Sequence, residues 1–200
     1  MKIGIDEVGR GPIAGPVTVC AFATELSDEE LLALFPKKEL KDSKKLTAKN
    51  RALIFEVLQI LQSEGKVFWH VSSRTAKEID QRGISICIKE CIQESLEMIC
   101  KALLRKEESL LVYLDGSLHA PTRFIRQETI IKGDENIPVI ACASIVAKET
   151  RDIFMKELAK DYPAYGFEKH VGYGTRAHYE AIKSHGLTPL HRKSFLKKLQ

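Results

Sequence analysis

Between Ile84 and Leu104 the apolar residues Ile84, Ile88, Ile92, Leu96, Ile99 and Leu103 recur every three or four positions. That spacing puts them on one face of an α-helix. A helix of about 20 residues is about 30 Å long, and so continuous a stripe cannot stay in water. It must lie on another layer. The 200 residues are 44% apolar and 29% charged, enough for a full core without disulfides or metal staples.

Short β-rich stretches supply the other layer. "MKIGID" alternates Ile3 and Ile5, and "GPVTVCAF" (15–22) is rich in β-branched residues, so the two read as a hairpin across a Gly/Pro-rich turn. "KVFWHVSS" (66–73), "SLLVYLDGS" (109–117) and "QETIIKGDE" (127–135) read as three more strands. Helices alternate with them. Ser27 and Glu30 have capping-box spacing, Thr47 can cap a helix to about Gln62, and Pro138 opens one through "ACASIVAKETRDIFMKEL". The spacing further predicts two short basic helices, 176–185 and 191–199. The whole is α/β, with a mixed sheet because the first two strands form a hairpin. Two units are expected: residues 1–168, and a small helical extension at 169–200.

The expected strand ends carry acids: Asp6 with Glu7, Asp115, and Asp134. Functional groups in α/β sheets gather where strands end and loops begin. If these strands are neighbours, four carboxylates share a small volume and raise one another's pKa unless cations intervene. With no Cys/His cluster nearby, the oxygen donors favour Mg²⁺ or Mn²⁺ over Zn²⁺. A pair of such ions suits phosphodiester hydrolysis. Adjacent strand residues point to opposite faces, so Asp6 and Glu7 are expected to meet only if the pleat breaks there, and Gly9, Gly11 and Pro12 make room for a break.

Gly9, Gly11 and Gly15 are spaced GxGxxxG, but Pro12 and a following strand exclude a dinucleotide fold. What remains is a loop whose backbone N–H groups can approach a ligand, with Arg10 as a donor. The five cysteines read as buried reduced thiols. Residues 37–51 carry seven basic and two acidic side chains, and 169–200 carry seven and one, leaving 17 basic and 24 acidic residues elsewhere. Two basic segments on an acidic body fit a polyanionic partner. Nothing resembles a signal peptide or a membrane span, so a soluble cytoplasmic protein is expected.

The strings "GIDEVGRGPIAGPV", "DSKKL" (42–46), "LDG" (114–116), "IKGDENIP", "ASIVAKETRD" (143–152), "GYGT" (172–175) and "HRKSF" (191–195) together closely resemble the bacterial ribonuclease HII family, the type 2 ribonucleases H, from residue 2 to about 196. The resemblance implies a ribonuclease H-like mixed sheet flanked by helices, with a C-terminal helical extension gripping a duplex. It implies that Asp6, Glu7, Asp115 and Asp134 are catalytic metal ligands. It implies that Gly9, Arg10 and Gly11 recognise a ribonucleotide's 2′-hydroxyl and neighbouring phosphate, and that Tyr173 packs on the sugar of the next deoxyribonucleotide. Lys44 and Lys45 resemble a backbone-contacting loop, and Ser144 falls where a helix would face the substrate. The chain departs from many relatives at Gln81-Arg82-Gly83, where an Asn is missing.

The expected activity is therefore endonucleolytic cleavage of RNA–DNA hybrids, and 5′ of single ribonucleotides embedded in duplex DNA, with Mg²⁺ or Mn²⁺, by a monomer. The expected ends are 3′-hydroxyl and 5′-phosphate. The alternatives are a hybrid-binding protein without chemistry, or another metal-dependent nuclease on the same fold.

Overall fold

The computed structural model describes residues 1–35 and 46–196; Lys44 and Lys45 lie outside the described residues. Among the described residues five strands form one sheet: β1 (Lys2–Val8), β2 (Val17–Thr24), β3 (Val67–Arg74), β4 (Leu111–Asp115) and β5 (Gln127–Ile130), in the order β3-β2-β1-β4-β5. The expected hairpin is present, β1 running antiparallel to β2 and β2 to β3. The β1–β4 and β4–β5 pairs are parallel. The C-terminal ends of β1, β4 and β5 therefore lie at one edge of the molecule. Asp6 and Asp115 each come immediately after or at the last β1–β4 pairs, which end at Ile5–Leu114.

Alternation in β1 and β2 divides the core in two. Ile3, Ile5, Val17, Val19 and Ala21 face one layer. There the long amphipathic helix, α4 (Ile84–Leu103), buries Ile88, Ile92, Leu96 and Ile99. Each of these contributes roughly 1.5–3 kcal/mol of burial. The α3 helix (Ala76–Arg82) precedes α4 and is separated from it by Gly83, whose φ of 81° ends one helix and admits the other. Arg82 bridges Glu78 and Glu90 there, so the sequence departure at 81–83 serves as a helix-to-helix joint.

The opposite face, with Val8, Cys20 and Phe22, carries α1 (Asp28–Leu32), α2 (Ala48–Ser63) and α6 (Pro138–Asp161). The expected Ser27 capping box and Thr47 cap are both formed. Gly4 decides how close α6 comes. A Cβ there would run into the Val139 carbonyl, so the missing side chain lets α6 press onto β1 at backbone distance. Between β5 and α6 lies one helical turn, α5 (Gly133–Asn136).

The chain after α6 passes through α7 (Phe167–His170) and α8 (Arg176–His185). Tyr165, Phe167, Ile182 and Leu196 pack there with Ile13, Ala14, Met155 and Ala159, so this small core is shared with the loop after β1 and with α6. The second basic helix expected at 191–199 is not formed in the described residues, where only a 3₁₀ turn, Lys193–Phe195, is found. The reason is tertiary. His191 bridges Ala14 in antiparallel fashion, and the Arg192 amide donates to the Ile13 carbonyl at 2.8 Å, which holds the segment extended. Asp80 of α3 then accepts from the Lys193 and Ser194 amides. All five cysteines are free, as expected, and only Cys100 is not fully buried. Among the described residues no helix is long and apolar enough to cross a membrane.

Candidate active site

Asp6 is the deepest of the acids, 7% exposed. It points to the α6 side of β1, where the Ser144 hydroxyl hydrogen-bonds its carboxylate, and its Oδ1 accepts the Glu7 amide at 2.8 Å. Burial, then the Glu7 and Asp115 charges, push its pKa well above the ordinary carboxylate range despite those bonds. Burial also raises Glu7; Arg10, 3.0 Å away, opposes the rise, and Asp115 adds to it. Both acids therefore feel Asp115, whose Oδ1 is fixed by the Gly133 amide at 2.6 Å.

The pleat does not break between Asp6 and Glu7, contrary to the expectation. The β1–β2 register runs without interruption through Asp6–Cys20, Glu7–Val19 and Val8–Thr18. The two acids leave opposite faces of β1, yet β4 stops at Asp115, so β1 overhangs its neighbour. Side chains from either face then reach the open corner beyond that end.

Asp134 is also placed differently from the expectation. The strand ends at Ile130, Lys132 turns the chain with a φ of 55°, and Asp134 is half-buried in the first turn of α5. It follows Gly133, whose amide binds Asp115; a Cβ on Gly133 would strike the Ile140 side chain. The turn is thus tied to Asp115 through the residue just before Asp134.

Among the described residues no three carboxylate, imidazole or thiol groups converge tightly enough to share one ion. The donor set nonetheless suits a hard divalent cation. It consists of oxygens, and the raising of Asp6 by Glu7 and of both by Asp115 is the repulsion that such a cation relieves.

The Gly9-Arg10-Gly11 loop flanks the acids. Gly9 has a φ of 89°, and a Cβ on it would meet the Arg151 Nε at 2.5 Å, so only glycine fits. Arg10 and Gly11 are exposed. Tyr173, 40% exposed, brings its ring edge to 3.6 Å from where a Gly11 Cβ would sit. The structure therefore sets Asp6, Glu7, Asp115, Ser144, the loop and Tyr173 along one edge. Ser144 is buried on Asp6 and does not line an open surface.

Two groups were not legible from spacing. One is a chain of imidazoles. The Thr188 amide donates to His191 Nδ1 at 2.9 Å, so a neutral His191 carries its proton on Nε2 and donates it to His178 Nε2 at 3.1 Å. His178 Nδ1–H is then left to donate to the Tyr173 carbonyl at 2.8 Å. The other is a pair of buried arginines, Arg151 and Arg192, bonded to loop carbonyls. Arg192 belongs to the basic segment read as a phosphate contact, yet it is fully buried. Arg51, from the other basic segment, is likewise buried against Glu149 and Asp152. Net charge cannot tell a buried guanidinium from a solvated one. The "HRKSF" string was a signal only through the resemblance.

A family model for ribonuclease HII matches residues 3–198. A ribonuclease HII of Clostridium acetobutylicum is 42% identical over 196 residues, covering 98% of this chain and 72% of the relative. One from Thermosynechococcus vestitus is 41% identical, covering 98% and 84%. The chain spans about two thirds of the length of further clostridial ribonucleases HII that it matches. Among solved structures, the ribonuclease HII in a PCNA complex from Archaeoglobus fulgidus superposes with a TM-score of 0.70 at 26% identity, covering 96% of this chain and 93% of that one.

Proposed function

The chain belongs to the ribonuclease HII family and is a ribonuclease H-type endoribonuclease; from that premise we propose that it hydrolyses RNA–DNA hybrids, and duplex DNA on the 5′ side of a single embedded ribonucleotide. The observation that carries this reading is the corner where burial and the Asp115 charge raise both Asp6 and Glu7, beside the exposed Arg10 and Gly11. Repelling carboxylates call for cations, and the adjoining exposed arginine and glycine call for the polar edge of a sugar-phosphate.

Asp6, Glu7, Asp115 and Asp134 are the residues that would hold Mg²⁺ or Mn²⁺, as two ions. When bound, such ions polarise the phosphodiester and lower the pKa of an attacking water. The chain's own contributions are distinct. Ser144 and the Glu7 amide fix the Asp6 carboxylate, and the Gly133 amide fixes Asp115. Arg10 holds Glu7 and offers its remaining donors to a phosphate. Gly9, Arg10 and Gly11 bind the 2′-hydroxyl, the one group that separates RNA from DNA. Tyr173, beside Gly11, packs on the following deoxyribose, where a 2′-hydroxyl would clash. Residues 1–168 form the catalytic unit and 169–200 the extension that grips the duplex. Lys44, Lys45 and the exposed Arg176 and Lys169 supply phosphate contacts, which position a duplex without reading its sequence.

A labelled DNA duplex with one ribonucleotide, incubated with Mg²⁺, Mn²⁺ or EDTA beside an all-DNA control, tests the proposal. A metal-dependent cut just 5′ of the ribonucleotide, absent from the control, is expected, with 3′-hydroxyl and 5′-phosphate ends. Cleavage of only a long hybrid would remove the role given to Tyr173. No cleavage of either would overturn the reading.

A further inference from the structure

The loop between β1 and β2 faces its carbonyls inward. Arg192 Nη1 donates to the Arg10 carbonyl at 3.2 Å and Nε to that of Gly15 at 2.9 Å, while the Arg192 amide takes Ile13. Arg151 donates from Nε to the Pro16 carbonyl at 2.9 Å and from Nη2 to Ala14 at 3.2 Å, with Nη1 on Val171 at 2.9 Å. Both guanidiniums are buried, and among the described residues neither is ion-paired with a carboxylate. Burial accordingly pulls them down, Arg151 to about 10 and Arg192 to about 9. Two cations in the interior with mostly carbonyl partners are costly, and a loop could be held more cheaply by apolar packing.

The consequence for the loop follows from peptide geometry. In a trans peptide the C=O and N–H point in opposite directions, and among the described residues no peptide bond is cis. With the Arg10 carbonyl drawn inward to Arg192, the Gly11 N–H is directed outward. Among the described residues the Arg10 and Gly11 amides donate to no backbone carbonyl, whereas those of Ile13, Ala14 and Gly15 all do. Gly11 is exposed, beside the Tyr173 ring.

We propose that Arg192 is a positioning residue for ribose recognition: by holding the Arg10 carbonyl it turns the Gly11 amide toward the substrate as a hydrogen-bond donor for the ribose 2′-hydroxyl or its adjoining phosphate oxygen. Arg151 braces the same loop from α6 through Pro16 and Ala14. The proposal rests on the reading of Gly9-Arg10-Gly11 as the ribonucleotide-binding loop. It adds that the selectivity of that loop is set from the C-terminal extension, by a side chain that touches no substrate atom.

The test compares binding of two labelled duplexes, one with a single ribonucleotide and one all-DNA, in an Asp115→Asn background that does not cut. Arg192→Lys keeps the charge but can reach one carbonyl only. Its affinity for the ribonucleotide duplex is expected to fall about tenfold, the worth of one hydrogen bond, with all-DNA binding unchanged. Equal loss on both duplexes would mean a merely structural clamp and would overturn the proposal, as would unchanged preference in a variant that melts like its parent. Arg192→Gln, neutral and able to donate to one carbonyl, repeats the test if the lysine variant does not fold.

Amide exchange at Gly11 in the otherwise unmodified chain separates the two layers of the argument. Protection by the ribonucleotide duplex and not by all-DNA is expected. No protection removes the loop reading and the proposal with it. Protection together with full preference in Arg192→Lys removes the proposal alone.

Discussion

The acid corner and the junction with the C-terminal segment both bury charged or titratable groups, and they treat them in opposite ways. At the corner, burial and then the Asp115 charge raise both Asp6 and Glu7, and the hydrogen bonds of the three acids to Ser144, Arg10 and the Gly133 amide orient them without cancelling that rise. At the junction, His170 stacks on His178, His178 and His191 hydrogen-bond to each other, and Arg151 and Arg192 spread their donors over five loop and segment carbonyls. The corner is left unbalanced for something that binds. The junction is nearly self-sufficient, with one buried donor, Arg192 Nη2, unpaired among the described residues. A site that acts on an anion needs both: charge that only a cation settles, and a frame that does not move when it arrives.

Breaking the corner gives the largest effect. Asp115→Asn removes a charge shared by both neighbouring acids, and cleavage is expected to fall by about 10³-fold, several kcal/mol of lost cation binding. Duplex binding should be retained or tighten, because a repulsion toward phosphate is gone. Normal cutting by this variant would show that the corner is not the site.

Tyr173→Ala probes the seam between the regions. The ring is 40% exposed, so stability should change by less than about 1 kcal/mol. The preference for a lone ribonucleotide over an all-RNA strand should erode about tenfold, the scale of a base or sugar stacked on an aromatic ring. An unchanged ratio of the two cleavage rates would end the assignment.

Asp6→Asn should cost activity yet stabilise the metal-free fold, by about 1 kcal/mol or roughly 2–4 °C in Tm. The sign follows from linkage. The folded carboxyl has a raised pKa, so between the ordinary value of 3.8 and that raised value the native state holds more protons than the unfolded one. Wild-type stability therefore falls as pH climbs through this window, and the Asn variant should show a shallower fall. Added Mg²⁺ should raise Tm in the wild type more than in the variant.

The smallest effect sharpens the other side of the comparison. Burial lowers His178 from 6.5 to about 4, so the unfolded chain binds the extra proton first as pH drops. Stability should decline between about pH 6.5 and 4, opposite in direction to the Asp6 effect. In denaturant midpoints against pH, His178→Asn should flatten that decline. A flat wild-type profile there would mean that the imidazole chain accepts a proton without cost.

Much of the architecture was legible because it is local. The α4 stripe, the Ser27 and Thr47 caps and the β1–β2 hairpin depend on spacings of two to four residues, and the structure has all of them. Carboxylates near strand ends were legible too: Asp115 is the last residue of β4, and Asp6 lies just past the last β1–β4 pair, two residues before β1 ends. The 191–199 stretch was misread as a helix because its backbone partners, Ile13 and Ala14, are nearly 180 residues away. The pleat at Glu7 was misread because overhang depends on where a different strand stops.

The periodicities, the caps, the acids near strand ends and the Gly-Arg-Gly turn are each set among near neighbours along the chain, and so are written in the sequence. Long-range packing sets the rest: Gly4 admits α6, β4 ends short of β1, and Arg192 lies inside the molecule holding the Arg10 carbonyl. Those outcomes depend on which distant groups share a low-dielectric interior. There a cation must find carbonyls and a carboxylate must find a counter-charge, and spacing along a chain carries no record of either.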